Sequence, residues 1–206
     1  MDTKLAAVYD VVYSEYPGLP EIPQILFWIP GNINPESSKV LDIGAGMGAF
    51  SIPLAFSGFQ VESVDISSVA IEYIRSTAYK HNLKITARKA DILDEGVVGD
   101  CEIIICSFVC HHLLDKDARS LFQEMKQHTL SGGINIIAVH TQEGDFFKSE
   151  LVPGKFYPRS GELFELYADW DVIMCTEMSS HSGYFEDGSP CFNLNSYLLA
   201  QKPTAL

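Results

Sequence analysis

The sequence predicts an α/β fold in which helices cover both faces of a mostly parallel sheet, and three observations carry that expectation. From Ser38 onward, short β-rich apolar runs alternate with longer helical patterns. The first run, Lys39 to Ile43, leads straight into three glycines and then a helix, the strand–turn–helix order of a ligand-binding sheet. After Val139 the alternation stops. Two long β-like runs then face each other across the turn signal Asp187-Gly188, so an antiparallel pair closes the sheet.

Taken in order, the chain opens with a tyrosine-rich helix and a second short helix over Ile22 to Trp28, followed by the linker Pro30 to Pro35. Strands follow over Lys39–Ile43, Gln60–Val64, Lys84–Lys89, Glu102–Ser107 and Ile134–Val139. Between them run helices over Gly48–Ser57, Ser67–His81 and Asp115–Leu130, the last starting at an acidic turn that suits a positive helix N-terminus. A loop through Pro153 and Pro158 leads to a helix over Gly161–Trp170, and the closing β-pair spans Asp171–Ser180 and Cys191–Gln201. With 206 residues, one domain is expected: helical segments over 1–37, a core over 38–140 and a closing part over 141–206.

Composition narrows the function. Hydrophobic residues make up 47% and charged residues 20%, the balance of a packed globular chain. Acidic residues outnumber basic ones 27 to 14, a net charge of −13 with no basic cluster, so a phosphate backbone would be repelled and DNA and RNA are not expected partners. No apolar stretch approaches the roughly 18 residues of a membrane span. The five cysteines form no CxxC pair and their odd number cannot be fully paired, which fits a reducing, cytoplasmic setting. Oligomeric state is not legible.

The local motif with most chemistry is Val40-Leu-Asp-Ile-Gly44-Ala-Gly46-Met-Gly48. Glycine permits the tight turn, and without a Cβ it lets a ligand approach the backbone. The same residues also satisfy the dinucleotide pattern GxGxxG/A, so the turn alone leaves two cofactors open. Asp42 separates them: it would repel a pyrophosphate and attract the ammonium of S-adenosylmethionine, unless it only holds backbone N–H groups of the turn. Asp65 ends the second strand beside the glycines, where a carboxylate can accept both ribose hydroxyls or cap the next helix, with Ile66 alongside. After the third strand, Asp91 and Ile92 can meet the adenine amino group and ring, or Asp91 is a plain turn residue. The fourth strand brings Ser107, His111 and His112 to the same edge. A metal site built from Cys106, Cys110, His111 and His112 is not expected, because ligands so tightly clustered rarely reach tetrahedral geometry.

With Leu-Asp-Ile-Gly-Ala-Gly-Met-Gly, Asp65, Asp91 and Ser107 to Leu113 in this order, the chain resembles class I S-adenosylmethionine-dependent methyltransferases over about residues 38 to 140. The resemblance implies a Rossmann-like, seven-stranded, mostly parallel sheet of order 3-2-1-4-5-7-6 with strand 7 antiparallel, and a cytoplasmic enzyme that methylates a small molecule, a chalcogen oxyanion or a thiol or other heteroatom acceptor, and leaves S-adenosylhomocysteine. Tyr9-Asp-Val-Val-Tyr13 resembles the aromatic N-terminal lid of many members, which places Tyr13 near the cofactor carboxylate. Phe156-Tyr-Pro-Arg-Ser-Gly161-Glu-Leu163, Tyr167, Trp170 and Tyr197 to Lys202 are similar to TehB-type tellurite-resistance methyltransferases. That family uses a His followed by Arg, and a further Arg, on an oxyanion. Here His181 falls within one position of the family His, but Ser182 and Gly183 follow it and no Arg occurs after Arg159.

Methyl transfer is an in-line displacement that mainly needs alignment; a hydroxyl acceptor also needs a base. His181 is the expected base, unless it is only a surface residue of the hairpin, and His111 and His112 line the acceptor site, unless one packs inside on a carbonyl and the other sits at the surface. The competing expectations are an NAD-type oxidoreductase and a catalytically silent, S-adenosylmethionine-binding protein.

Overall fold

The computed structural model describes residues 3–15, 23–149 and 155–204. Its sheet has seven strands: β1 (Lys39–Ile43), β2 (Gln60–Asp65), β3 (Ile85–Lys89), β4 (Cys101–Ser107), β5 (Thr129–His140), β6 (Asp171–Tyr184) and β7 (Pro190–Gln201). They lie in the order β3-β2-β1-β4-β5-β7-β6. The first five are mutually parallel, and β7 runs antiparallel to both β5 and β6. The helices are α1 (Thr3–Ser14), α2 (Ser51–Phe56), α3 (Ser68–His81), α4 (Ile92–Glu95), α5 (Asp115–His128), α6 (Asp145–Lys148) and α7 (Glu162–Leu166).

Alternation along the central strands builds a core on each face of the sheet. Val40, Ile103, Ile105, Ile134, Ile136 and Leu199 point to one side, and Leu41, Ile43, Ile104, Ile137, Leu198 and Ala200 to the other, where Phe122 and Met125 of α5 cover them. Burying each Val, Leu, Ile, Phe or Met among them contributes about 1.5–3 kcal/mol, and near-continuous Ile/Val runs are what a doubly covered parallel strand requires.

Several elements differ from expectation for local reasons. Met47 to Phe50 form turns, with Gly48 at φ +81, so α2 starts at Ser51 and not at Gly48. Ser67 caps α3 by accepting from the Ala70 N–H, and Asn82, left-handed at φ 51, ends it. Helix α5 stops at His128 because Thr129 is already extended. Helix α7 spans only Glu162–Leu166: Tyr167 leaves it to reach the interior, where its hydroxyl donates to Asn135 Oδ1 at 2.8 Å. Strand β6 continues to Tyr184, past the expected end at Ser180. A 3-10 turn covers Gln24–Trp28; Ile22, expected to open it, and Pro153 lie outside the described residues. No helix among the described residues is long and apolar enough to cross a membrane.

Candidate active site

At the carboxyl end of β1 the chain must turn sharply under a ligand. Gly44 and Gly46 take φ +66 and +50, a region that side chains make costly. A Cβ on Gly44 would lie 2.2 Å from Val109 Cγ2, and one on Gly46 would lie 2.8 Å from the Tyr13 hydroxyl oxygen. The glycines therefore let α1 and the segment after β4 close down on the turn.

Asp65 fixes that turn from the neighbouring strand. One carboxylate oxygen accepts from the Gly46 N–H and the other from the Ser67 N–H, both at 2.8 Å. Burial raises its pKa, the Ser67 and Gly46 N–H groups oppose the rise, and the Asp10 charge adds to it. Asp10 anchors α1 by accepting from Ser67 Oγ (2.5 Å), Ser68 Oγ (2.8 Å) and the Val69 N–H (3.2 Å). The Ser67 bond leads in holding the Asp10 carboxyl down at about 2.

The chain leaves β4 through Phe108, whose φ of 54 is rare for a side-chain-bearing residue and redirects the backbone towards His112. His112 Nε2 and the Tyr9 hydroxyl are 2.6 Å apart. Burial, followed by His140 and Lys155, pushes the His112 pKa down to about 4, so its ring is neutral. The Tyr9 and Tyr13 hydroxyls are pushed up, mainly by burial and then by the Asp65 charge.

These residues enclose a cavity of about 460 Å³ on the carboxyl edge of the sheet, within the usual range for a small-ligand site. Tyr9 and Tyr13 cover it; Gly44, Asp65, Ile66, Asp91 and Ile92 form one side, and Ser107, Phe108, Val109 and His112 the other. Asp91 also accepts from the Leu93 N–H and so caps α4, which makes it both turn residue and wall. A second groove of about 720 Å³, over Phe27, Pro53 and Phe56, has no titratable group in its wall among the described residues.

Gly46 is not itself in the cavity wall but lies beneath the Tyr13 hydroxyl, and three further expected residues stand elsewhere. Asp42 is 2% exposed and outside the cavity wall: Ser51 Oγ donates to it at 2.6 Å, and burial raises its pKa to about 7. His111 is also outside the wall, buried between His112 and His140 with ring centroids at 3.9 and 4.6 Å. Its pKa is well below the ordinary value, from burial and then the two neighbouring imidazoles, and its Nδ1 has no hydrogen-bond partner among the described residues. His181, expected as the base, is an exposed residue of the edge strand, packed on Tyr184 and Phe192 and absent from the cavity wall. The reason is that β6 stays paired past it, with His181 opposite Phe192, where a strand end at Ser180 was needed to turn it inward.

From sequence, Tyr9 and Asp10 figure only as part of the lid motif around Tyr13, with no role of their own, and His140 and Lys155 do not figure at all. Tyr9 had a signal, since it sits four residues before Tyr13 on one helix face. The others depend on long-range packing. No cluster of three His, Cys, Asp or Glu suited to a metal occurs among the described residues.

The strand order, with an antiparallel β7 inserted between β5 and β6, is that of class I S-adenosylmethionine-dependent methyltransferases and departs from the 3-2-1-4-5-6 sheet of dinucleotide dehydrogenases. The strand order gives no support to an NAD-type oxidoreductase. The family model described as "Tellurite resistance protein TehB" matches residues 32–182, and the chain belongs to that family. The probable S-adenosyl-L-methionine-dependent methyltransferase TehB of Haemophilus influenzae is 31% identical over 139 residues, covering 68% of this chain and 48% of the relative. The crystal structure of TehB from Haemophilus influenzae superposes with a TM-score of 0.71 at 28% identity, over 80% of this chain and 57% of that one. Magnesium protoporphyrin IX methyltransferase from Synechocystis PCC 6803, solved with bound S-adenosylhomocysteine, shares the fold at a TM-score of 0.66 and 17% identity, over 97% of this chain and 86% of that one. The chain spans about half the length of the curated TehB relatives it matches.

Proposed function

We propose that this chain transfers a methyl group from S-adenosylmethionine to a small molecule. The observation that carries the reading is the Asp65 carboxylate: it stands in the cavity wall, held by the Gly46 and Ser67 N–H groups, with lone pairs left to accept ribose hydroxyls. Family membership and strand order support it.

The residues present fit such a cofactor. Gly44 and Gly46 keep Cβ atoms off the turn, Ile66 and Ile92 offer apolar surface to the adenine, and Asp91 stands where an exocyclic amino group needs an acceptor. Tyr13 and Ser107 supply hydroxyls towards the amino-acid end. The cofactor supplies a sulfonium-bound methyl, an electrophile that needs no metal-generated nucleophile. The chain's own work is to orient the acceptor beside Ser107 to His112 and to keep water out under α1, which is the main source of rate in an in-line displacement. His112, neutral and bonded to Tyr9, takes the place in the cavity that His181 was expected to hold.

Calorimetry with S-adenosylhomocysteine and with NAD tests the reading. Binding of the former at micromolar or better affinity with no heat from NAD is expected; the reverse would overturn it.

A further inference from the structure

The β4 side of the cavity differs in kind from the side that carries Asp65 and Asp91. Apart from Ser107, Asp117 and Lys155, the last paired with Leu114 in an antiparallel bridge, its wall is apolar, formed by Leu5 of α1, Phe108, Val109, Leu113 and Leu114, and the Tyr9–His112 pair sits within it. A neutral imidazole offers one lone pair and one N–H. In the tautomer whose Nε2 carries the proton, Tyr9 would offer its O–H to the cavity; in the tautomer whose Nε2 accepts, the one the transfer below requires, the Tyr9 hydroxyl donates to His112 and its phenolic oxygen turns its lone pairs to the cavity as a hydrogen-bond acceptor. That suits a molecule that brings an X–H and does not suit one that brings only oxygens.

Charge points the same way. Among the described residues, the cavity wall has one cation, Lys155, against the three carboxylates Asp65, Asp91 and Asp117, and no arginine. An oxyanion taken from water into such a site loses its hydration without the forked guanidinium partners that recognise it well.

Resting on the methyltransferase reading above, we propose that the acceptor is an uncharged molecule with an apolar body and one protic heteroatom, a phenolic hydroxyl or a thiol, seated on the β4 side with its X–H on Tyr9, and that oxyanions are disfavoured. In the transfer, a lone pair of X forms the new bond to the methyl carbon, and the sulfur–methyl bond breaks with its electron pair staying on sulfur. The proton of X–H passes to the Tyr9 oxygen as the Tyr9 proton passes to His112 Nε2, and the imidazolium later gives it to water. The products are X–CH₃, the neutral thioether and one proton. His112 is a weak base, which suffices here because X–H becomes strongly acidic as its heteroatom is methylated.

The test uses the full chain and follows S-adenosylhomocysteine production with a 4-alkylphenol, an alkyl thiol, tellurite and selenite, alongside calorimetry of S-adenosylhomocysteine. The expected result is a kcat/KM for a neutral acceptor at least about tenfold above either oxyanion. Tyr9→Phe is expected to lower kcat on the phenol by about 10²-fold while the affinity for S-adenosylhomocysteine is unchanged. Oxyanion turnover equal to or above that of the neutral acceptors overturns the proposal and leaves the methyltransferase reading standing. So does S-adenosylhomocysteine binding with no neutral acceptor bound or turned over. Absence of S-adenosylhomocysteine binding overturns both.

Discussion

Replacing Asp42 by asparagine keeps the shape of a buried carboxyl while removing its charge. In the protein, Ser51 Oγ donates to Asp42 Oδ2 at 2.6 Å and lies 2.7 Å from Ser63 Oγ. An asparagine can donate one N–H to Ser51 Oγ if that hydroxyl turns to Ser63, so the Ser51 bond is kept. Burial raises the carboxyl from 3.8 to about 7, against the opposing bond from Ser51. A raised pKa means that the folded state favours the proton. The stability it contributes is therefore complete below the ordinary carboxylate value and is lost as pH climbs through about 4 to about 7. With 1.36 kcal/mol per pKa unit, the wild type should lose roughly 2 kcal/mol relative to Asp42→Asn between about pH 5.5 and pH 7.5. Urea unfolding of both proteins at the two pH values measures that difference directly, since the other titrating groups are common to both. Parallel pH dependence would refute the assignment of a charge held at a cost inside the core. Because Asp42 stands outside the cavity wall, the same variant should bind S-adenosylhomocysteine within about threefold of wild type; a loss beyond tenfold would restore direct ammonium binding by Asp42.

Asp65→Ala removes the ribose acceptor and should weaken S-adenosylhomocysteine by at least about tenfold, the equivalent of one charge-assisted bond of ~1.5–3 kcal/mol; affinity unchanged in calorimetry removes Asp65 from the site. Gly46→Val forces a branched side chain to φ +50 against the Tyr13 hydroxyl, and should abolish the thermal shift given by S-adenosylhomocysteine while leaving a cooperative melt. A normal shift in that variant counts against the glycine turn as the binding surface. His181→Ala should retain kcat within about twofold, whereas His112→Ala should lower it by about 10² or more on a hydroxyl acceptor; the opposite ranking returns the base to the hairpin.

The sheet was legible because its signals are local. Each parallel strand ends in a short polar turn and each crossover is long enough for a helix, so β1 to β4 are found within a residue or two. Asp65, Asp91 and Ser107 follow from their place at strand ends, and the structure puts all three in the cavity wall. Legibility failed where the outcome depends on pairing at a distance. Whether His181 turns inward is decided by how far β6 keeps its bonds to β7, and no residue near His181 announces that length. His111 and His112 are adjacent, and only the packing of His140 and Tyr9 shows that the second faces the cavity and the first does not. Asp10 reads as an ordinary helix-surface carboxylate until α1 is seen lying on the start of α3.

That short helix reaches both sides of the cavity at once: Asp10 ties it to the β2–α3 junction, Tyr13 lies over Gly46, and Tyr9 meets His112 beyond β4. Occupants of the two sides therefore share one restraint, even where they do not touch. If binding on one side tightens α1, the next ligand pays less to do so, and thermodynamic reciprocity makes the benefit equal in both directions. The acceptor should sharpen affinity for S-adenosylhomocysteine by the same factor by which S-adenosylhomocysteine sharpens affinity for the acceptor, so that a helix of twelve residues sets the cooperativity of the reaction's two substrates.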